Sequence, residues 1–297
     1  MCCIKVLCLL YCGLVSINYL MVYFSLIKGI QYYNKNDVKV LIIEDFDVEL
    51  QGLIRGNLSA IAFGAKQVEE DPDYSSYIYT LKEFEMVYRN KPRNTKKGMM
   101  GELLAHLIIP KYFTNLETSS PYLNTEERSI RKGFDIVYFN STDNSVWYSE
   151  VKSGHQHKDK SIDQTNGQLL KNARNGLIEM FGSSYSNRWD NAITNSHAVL
   201  HDNKGKKIRE ILRKENPVKT SKDIGRCVIL VSVLFHDVLS DVLDVDYLQE
   251  RSTFLKEGDE FKETILLSFQ KSSFEKIANF VEAEIALELS KYEEENQ

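Results

Sequence analysis

GFDIVYFNSTDNSVWYSEVKSG, residues 133–154, decides how this chain folds. Two runs rich in β-branched and aromatic residues, 134–139 and 146–151, flank a turn-forming stretch at 140–145. The pattern predicts two antiparallel strands joined by a hairpin loop. Gly133-Phe134-Asp135 opens the first strand and Glu150-Val151-Lys152 closes the second. Asp135 and Glu150 are therefore expected near each other at one end of the sheet. Glu150 and Lys152 stand two apart on one strand and so share a face.

Working outward, residues 99–109 read as an apolar helix ended by Pro110, with Glu102 near its start in Gly101-Glu102-Leu103-Leu104-Ala105-His106. Ahead of it lies a basic, turn-like stretch, Lys91-Pro92-Arg93-Asn94-Thr95-Lys96-Lys97-Gly98. Downstream, 162–181 predicts a helix, and the unbroken apolar run 227–235 predicts a buried central strand. Residues 38–43 read as a strand, 57–68 and 75–90 as helices, 114–132 as a polar connection and 274–289 as an amphipathic helix. The order helix, strand, strand, helix, strand over 99–235 predicts an α/β (α+β) fold with a mixed central sheet flanked by helices. Residues 30–297 are expected to form one elaborated domain around a core at about 97–235.

Composition sets limits. With 297 residues, 43% hydrophobic and 27% charged, the chain has material for a sizeable core and is not a disordered protein. A net charge of -5 excludes coating nucleic acid by bulk charge and leaves room for a local basic track. Four of the five cysteines lie at positions 2, 3, 8 and 12, without zinc-ligand spacing or a disulfide framework, which fits a reducing cytoplasm. No phosphate-binding glycine loop is present, so ATP hydrolysis by this chain is not expected.

The segment 1–29 stands apart. Residues 6–27 run for 22 positions without a charge, long enough as a helix to span a bilayer. The lysines at 28, 35 and 39 would then keep the body on the cytoplasmic side. A buried core helix, or an upstream stretch ahead of a true start at Met21, explains the same residues.

Two carboxylates and an ammonium in a small volume have a definite use. Hard oxygen ligands such as Asp135 and Glu150 suit Mg²⁺, with Mn²⁺ as an alternative. The metal activates a bound water, and Lys152 orients that water or stabilises charge on a phosphoryl oxygen. Glu102 is a further ligand candidate. The same Glu-x-Lys pattern recurs at Glu260-Phe261-Lys262, but there it follows a charged turn and begins an element. The alternative is a pair of surface strand-end carboxylates with Lys152 as ion-pair partner.

The Gly101-Glu102 helix, the Gly133-Phe134-Asp135 strand and the Ser149-Glu150-Val151-Lys152-Ser153-Gly154 strand end resemble the core of PD-(D/E)xK restriction-endonuclease-like enzymes. More narrowly, the arrangement resembles HamA, the nuclease subunit of the Hachiman antiphage defence system, which pairs with a helicase. The resemblance implies DNA cleavage with Mg²⁺, with Glu102, Asp135 and Glu150 as metal ligands, Lys152 as the catalytic lysine and a helicase as partner. The long apolar N-terminus is not part of that pattern. A repair nuclease such as a junction resolvase, or a catalytically silent nuclease-like interaction subunit, remains a competing reading.

Lys96 and Lys97 ahead of the Glu102 helix, and Gln168 and Lys171 on helix 162–181, are candidate phosphate contacts. A second basic run at 204–222 carries eight lysines and arginines against two glutamates, serving either as substrate track or as an exposed charged helix. His155, His157, Lys158 and Lys160 read as a solvent-facing loop, with general acids or phosphate contacts near the leaving group as the alternative. Arg188 lies between Tyr185 and Trp189, residues that suit packing better than base stacking.

Overall fold

The computed structural model describes residues 22–124, 129–130, 133–182, 186–217, 225–256, 260–272 and 274–295. The apolar stretch 6–27 lies mainly on residues 1–21, outside the described residues. Of its remainder, β1 (Val22–Phe24) is a strand paired antiparallel with β2 (Ile30–Lys35), which turns back into β3 (Val38–Ile43). No described helix is long and apolar enough to cross a membrane.

Asp47 caps the next element by accepting the backbone N–H groups of Glu49 and Leu50, at 3.0 and 3.2 Å. It starts α1 (Val48–Phe63) nine residues before the sequence pattern predicts a helix. Gly64, at φ +99°, breaks α1 from α2 (Ala65–Glu70). Ser76 caps α3 (Tyr77–Tyr88).

The helix expected at 99–109 is α4 (Arg93–Tyr112), longer at both ends. Its cationic first turns oppose the helix dipole, which is why they read as a turn. Tertiary partners compensate: Arg93 pairs with Glu275, and Lys96 lies 3.6 Å from Glu282 and over the Tyr88 ring. Pro110 sits in the last turn, where one lost hydrogen bond is tolerable and Phe113 still donates to Ile109.

The connection that reads as polar holds β4 (Leu116–Thr118) and a small ladder of β5 (Leu123–Asn124) with β6 (Ser129–Ile130). The expected hairpin follows as β7 (Ile136–Asn140) and β8 (Val146–His155). Then come α5 (Ile162–Phe181), α6 (Ser186–Val199), α7 (Asp202–Glu215), β9 (Arg226–Phe235), α8 (Val245–Lys256), β10 (Phe261–Lys271) and α9 (Glu275–Glu295). The residues at 260–262 do begin an element, the central strand β10.

Among the described residues, eight strands form one mixed sheet in the order β1-β2-β3-β10-β9-β8-β7-β4. The middle four, β3, β10, β9 and β8, are parallel, and antiparallel pairs complete both sides. Along β9 every residue is buried and the side chains alternate between two cores. Ile229, Val231, Val233 and Phe235 face α1, α3, α4 and α9, while Val228, Leu230 and Leu234 face α5 to α8. Helices on both faces are thus a direct consequence of a strand without a polar side.

Candidate functional site

The site forms where the hairpin stops. β7 begins at Ile136, opposite Ser149, so β8 from Glu150 onward pairs with β9 alone. Asp135 lies in the notch, and its Oδ2 accepts the Val151 N–H at 2.7 Å. A side-chain oxygen thus takes the place of the missing ladder acceptor. Lys152 Nζ donates to Glu150 Oε1 at 2.5 Å. Glu150 Oε2 is buried without a hydrogen-bond donor.

Two glycines let the flanking helices close on this point. A Cβ at Gly176 of α5 would lie 3.0 Å from Glu150 Oε1. Buried hydrogen bonds among Asn166, Ser232 and Ser268, at 2.6 to 3.0 Å, fix α5 on the sheet. On the opposite face, a Cβ at Gly101 would stand 1.9 Å from Ser153 Oγ and 3.3 Å from Val233 Cβ. Only glycine lets α4 press this closely on β8, and the next residue, Glu102, is thereby buried beside the two strand carboxylates. Gly101→Ala is expected to lower unfolding stability by about 1–3 kcal/mol through overpacking. Ser153→Ala removes the nearest clashing atom, whose hydroxyl has no partner, and should restore part of that loss. Chemical denaturation of the two single variants and the double variant measures the coupling; additive losses would mean that the close approach does not matter.

The electrostatics reflect crowding of like charge. Burial lifts the Glu102 carboxyl well above the ordinary range, and Asp135 and Glu150 add to the shift while Lys152 opposes it. Glu150 is pushed up to about 8 by burial and by Asp135, against the pull of Lys152. Burial also raises Asp135, opposed by Lys152, the Val151 N–H, Glu150 and Arg188. Burial alone would lower Lys152, but Glu150 and Asp135 outweigh it and hold the ammonium above its usual value. Without a cation, such a cluster must keep a proton.

Hard oxygen donors, an orphaned carboxylate oxygen and mutual repulsion suit a divalent ion at Glu102, Asp135 and Glu150. The three are not drawn into a ready-made ligand set: among the described residues, no three His, Cys, Asp or Glu side chains stand together as a metal cluster. The Lys152 contact occupies the oxygen that a metal would compete for.

Arg188 belongs to this neighbourhood although its sequence context suggested only packing. Its charge acts on both Asp135 and Glu150. The cause is the fully buried Trp189, edge-on to Phe134 at 5.1 Å and to Tyr148 at 5.4 Å, which docks α6 beside the Phe134-Asp135 turn. A lone arginine next to a tryptophan carries no periodic pattern that would have announced this.

The candidate phosphate contacts are dispersed. Lys96 is turned toward α3 and α9. Lys97 is half-buried near Arg93 and Glu275. Gln168 and Lys171 line a groove between α5 and α8. In the second basic run, Lys204 pairs with Glu117 and Lys207 reaches Asn144 in the hairpin loop, so this part of α7 sits at the far end of β8. Lys219 and Lys222 lie outside the described residues. His155 differs from the expected loop: it ends β8, half-buried, with Nδ1 3.1 Å from the Phe235 carbonyl oxygen and its ring against Phe235 and Phe274. His157, Lys158 and Lys160 are exposed, as the sequence suggests.

No curated protein matches this chain. The family model described as HamA matches residues 21–285, from the residue before β1 into the middle of α9, and includes Glu102, Asp135, Glu150 and Lys152. With most of its length matched, the chain belongs to the HamA family, a component of Hachiman antiphage defence.

Proposed function

We propose that this chain is a metal-dependent nuclease of the PD-(D/E)xK type, hydrolysing DNA phosphodiesters within Hachiman defence alongside a helicase. The observation that carries the reading is the meeting of the buried Glu102 and Glu150 with the half-buried Asp135 and Lys152 at the open edge of β8, close enough for their charges to act on one another. Glu102, Asp135 and Glu150 would hold a Mg²⁺ ion, which when bound would supply Lewis-acid activation of water and neutralisation of charge on the phosphate. Asp135 is held rigid by the Val151 N–H, and Glu150 by the close pass of α5 at Gly176. Lys152, freed from Glu150 Oε1, orients the attacking water or donates to a phosphoryl oxygen as negative charge builds there. The helicase makes duplex ends or single strands available; this chain carries no nucleotide-triphosphate motif of its own.

The test is cleavage of supercoiled plasmid by the full chain with Mg²⁺ and with chelator, alone and with the helicase. Cutting only with metal is expected. The pH dependence has a definite sign. Because Glu150 titrates near 8 without metal, ion binding must displace a proton below that pH. Metal affinity should therefore climb as pH rises toward 8, by about tenfold per unit where one proton is released. No cutting by the pair at any metal concentration would leave the silent interaction subunit as the better reading.

A further inference from the structure

On the flank of α5 turned away from the carboxylates, α5 and α8 enclose a groove of about 630 Å³. Its charge is one-sided. Lys160, Lys171 and Arg251 line it, all exposed and with no ion pair among the described residues. Arg174 also lines it but is committed to Glu260 and to the Leu255 carbonyl, each at 3.0 Å. Among the described residues, Asp159 is the one carboxylate in the lining. Aromatic surface is interleaved with these cations: Phe254 is 62% exposed, and Arg251 sits over both the Phe254 and Tyr247 rings, at 5.9 and 5.6 Å. An exposed phenylalanine beside cations that have no ion-pair partner among the described residues offers a ring face on which a base can stack.

The groove connects to the site around one helix. At about 100° per residue, Lys171 lies roughly 140° around α5 from Gly176, the residue that touches Glu150. Asn172 and Gln168 fall between them, and Gln168 Nε2 donates to Asn172 Oδ1 at 2.9 Å. A polar path thus crosses the outside of α5 from the carboxylates to the groove. With side chains a helix is about 10–12 Å across, a span of only a few nucleotides.

We infer that the α5–α8 groove binds single-stranded nucleic acid, with phosphates on Lys160, Lys171 and Arg251 and a base stacked on Phe254. The inference rests on the nuclease reading for its direction, since the groove would hold the strand that enters or leaves the β8 edge. A duplex fits it less well: a paired base offers no free face to Phe254, and the cations line a groove rather than a broad surface.

The test is equilibrium binding of fluorescent oligothymidylate to the full chain in chelator, over a range of salt. Lys171→Glu and Arg251→Glu are each expected to weaken binding about tenfold. Each should also make the dependence of log affinity on log salt shallower by about 0.7. Phe254→Ala should weaken binding about tenfold with the salt slope unchanged. All three positions are exposed, and circular dichroism checks that the variants fold. Affinities within twofold of the parent for all three, no binding by the parent, or loss confined to duplex would overturn the inference. So would an unaffected Phe254→Ala together with equal competition by polyglutamate, which marks an acidic-peptide groove. The two readings fail separately: cutting insensitive to Lys152→Ala sinks the catalytic site, while groove variants that bind normally sink only the track.

Discussion

Lys152→Ala is expected to reduce metal-dependent DNA cleavage by roughly 100- to 1000-fold, the usual scale for losing one positioned donor to developing charge. Metal binding should survive the change. The ammonium engages Glu150 Oε1 at 2.5 Å and competes with a cation for that oxygen, so its removal leaves the ligand set intact and less contested. Asp135→Asn should show the opposite signature. One ligand charge disappears, more metal is needed for half-maximal cutting, and high metal concentration recovers part of the rate. The amide can no longer receive the Val151 N–H as a charged acceptor, and some order at the start of β7 goes with it. Metal titrations of cleavage for the parent and both variants separate the roles. Lysine and carboxylate variants that lose metal affinity equally would remove the distinction between ligand and proton-handling group. Full activity in both would refute the site.

The hairpin with Asp135, Glu150 and Lys152 was legible because three local rules agree on it: β-branched strands, a polar turn, and two-residue alternation that places Glu150 and Lys152 on one face. The helix α5 was legible for the same reason, with Ser161 and Gln164 forming a capping box at its start. What escaped depends on distant partners. The first turns of α4 are helical because Glu275 and Glu282, some 180 residues away, meet its cations. The strand β10 begins with Phe261, Lys262, Glu263 and Thr264, residues that mostly sit beyond the core. Its buried half lies between β3 and β9, a parallel pairing that no local pattern encodes. Arg188 reaches the carboxylates only through the docking of Trp189. The groove on α5 was half visible: Gln168 and Lys171 stood out as polar helix residues, but Arg251 and Phe254 come from α8, which the sequence pattern did not show.

His106, one turn after Glu102 on α4, should make the fold acid-labile in a way that one substitution removes. The side chain is 3% exposed, lies edge-on to Tyr122 at 5.5 Å, and neither ring nitrogen has a partner. Burial therefore pushes its pKa down to about 3, against about 6.5 in an unfolded chain. Between those values the unfolded state binds a proton that the folded state refuses, so stability rises with pH across that window. The contribution is complete above 6.5 and is lost as pH falls toward 3. At pH 4 the loss amounts to about 3 kcal/mol, from 1.36 kcal/mol per unit. The neighbouring Glu102, Asp135 and Glu150 work in the other direction, because their raised pKa values make the folded state gain protons in acid. Only a difference between variants isolates the histidine. His106→Leu keeps a similar volume and removes two unsatisfied polar atoms, so it should match or exceed the parent at pH 7 and exceed it by about 3 kcal/mol at pH 4. Urea unfolding at the two pH values reads this directly. Equal losses in parent and variant would show that His106 takes up its proton in the folded state, and hence that α4 opens to water beside the carboxylates it carries.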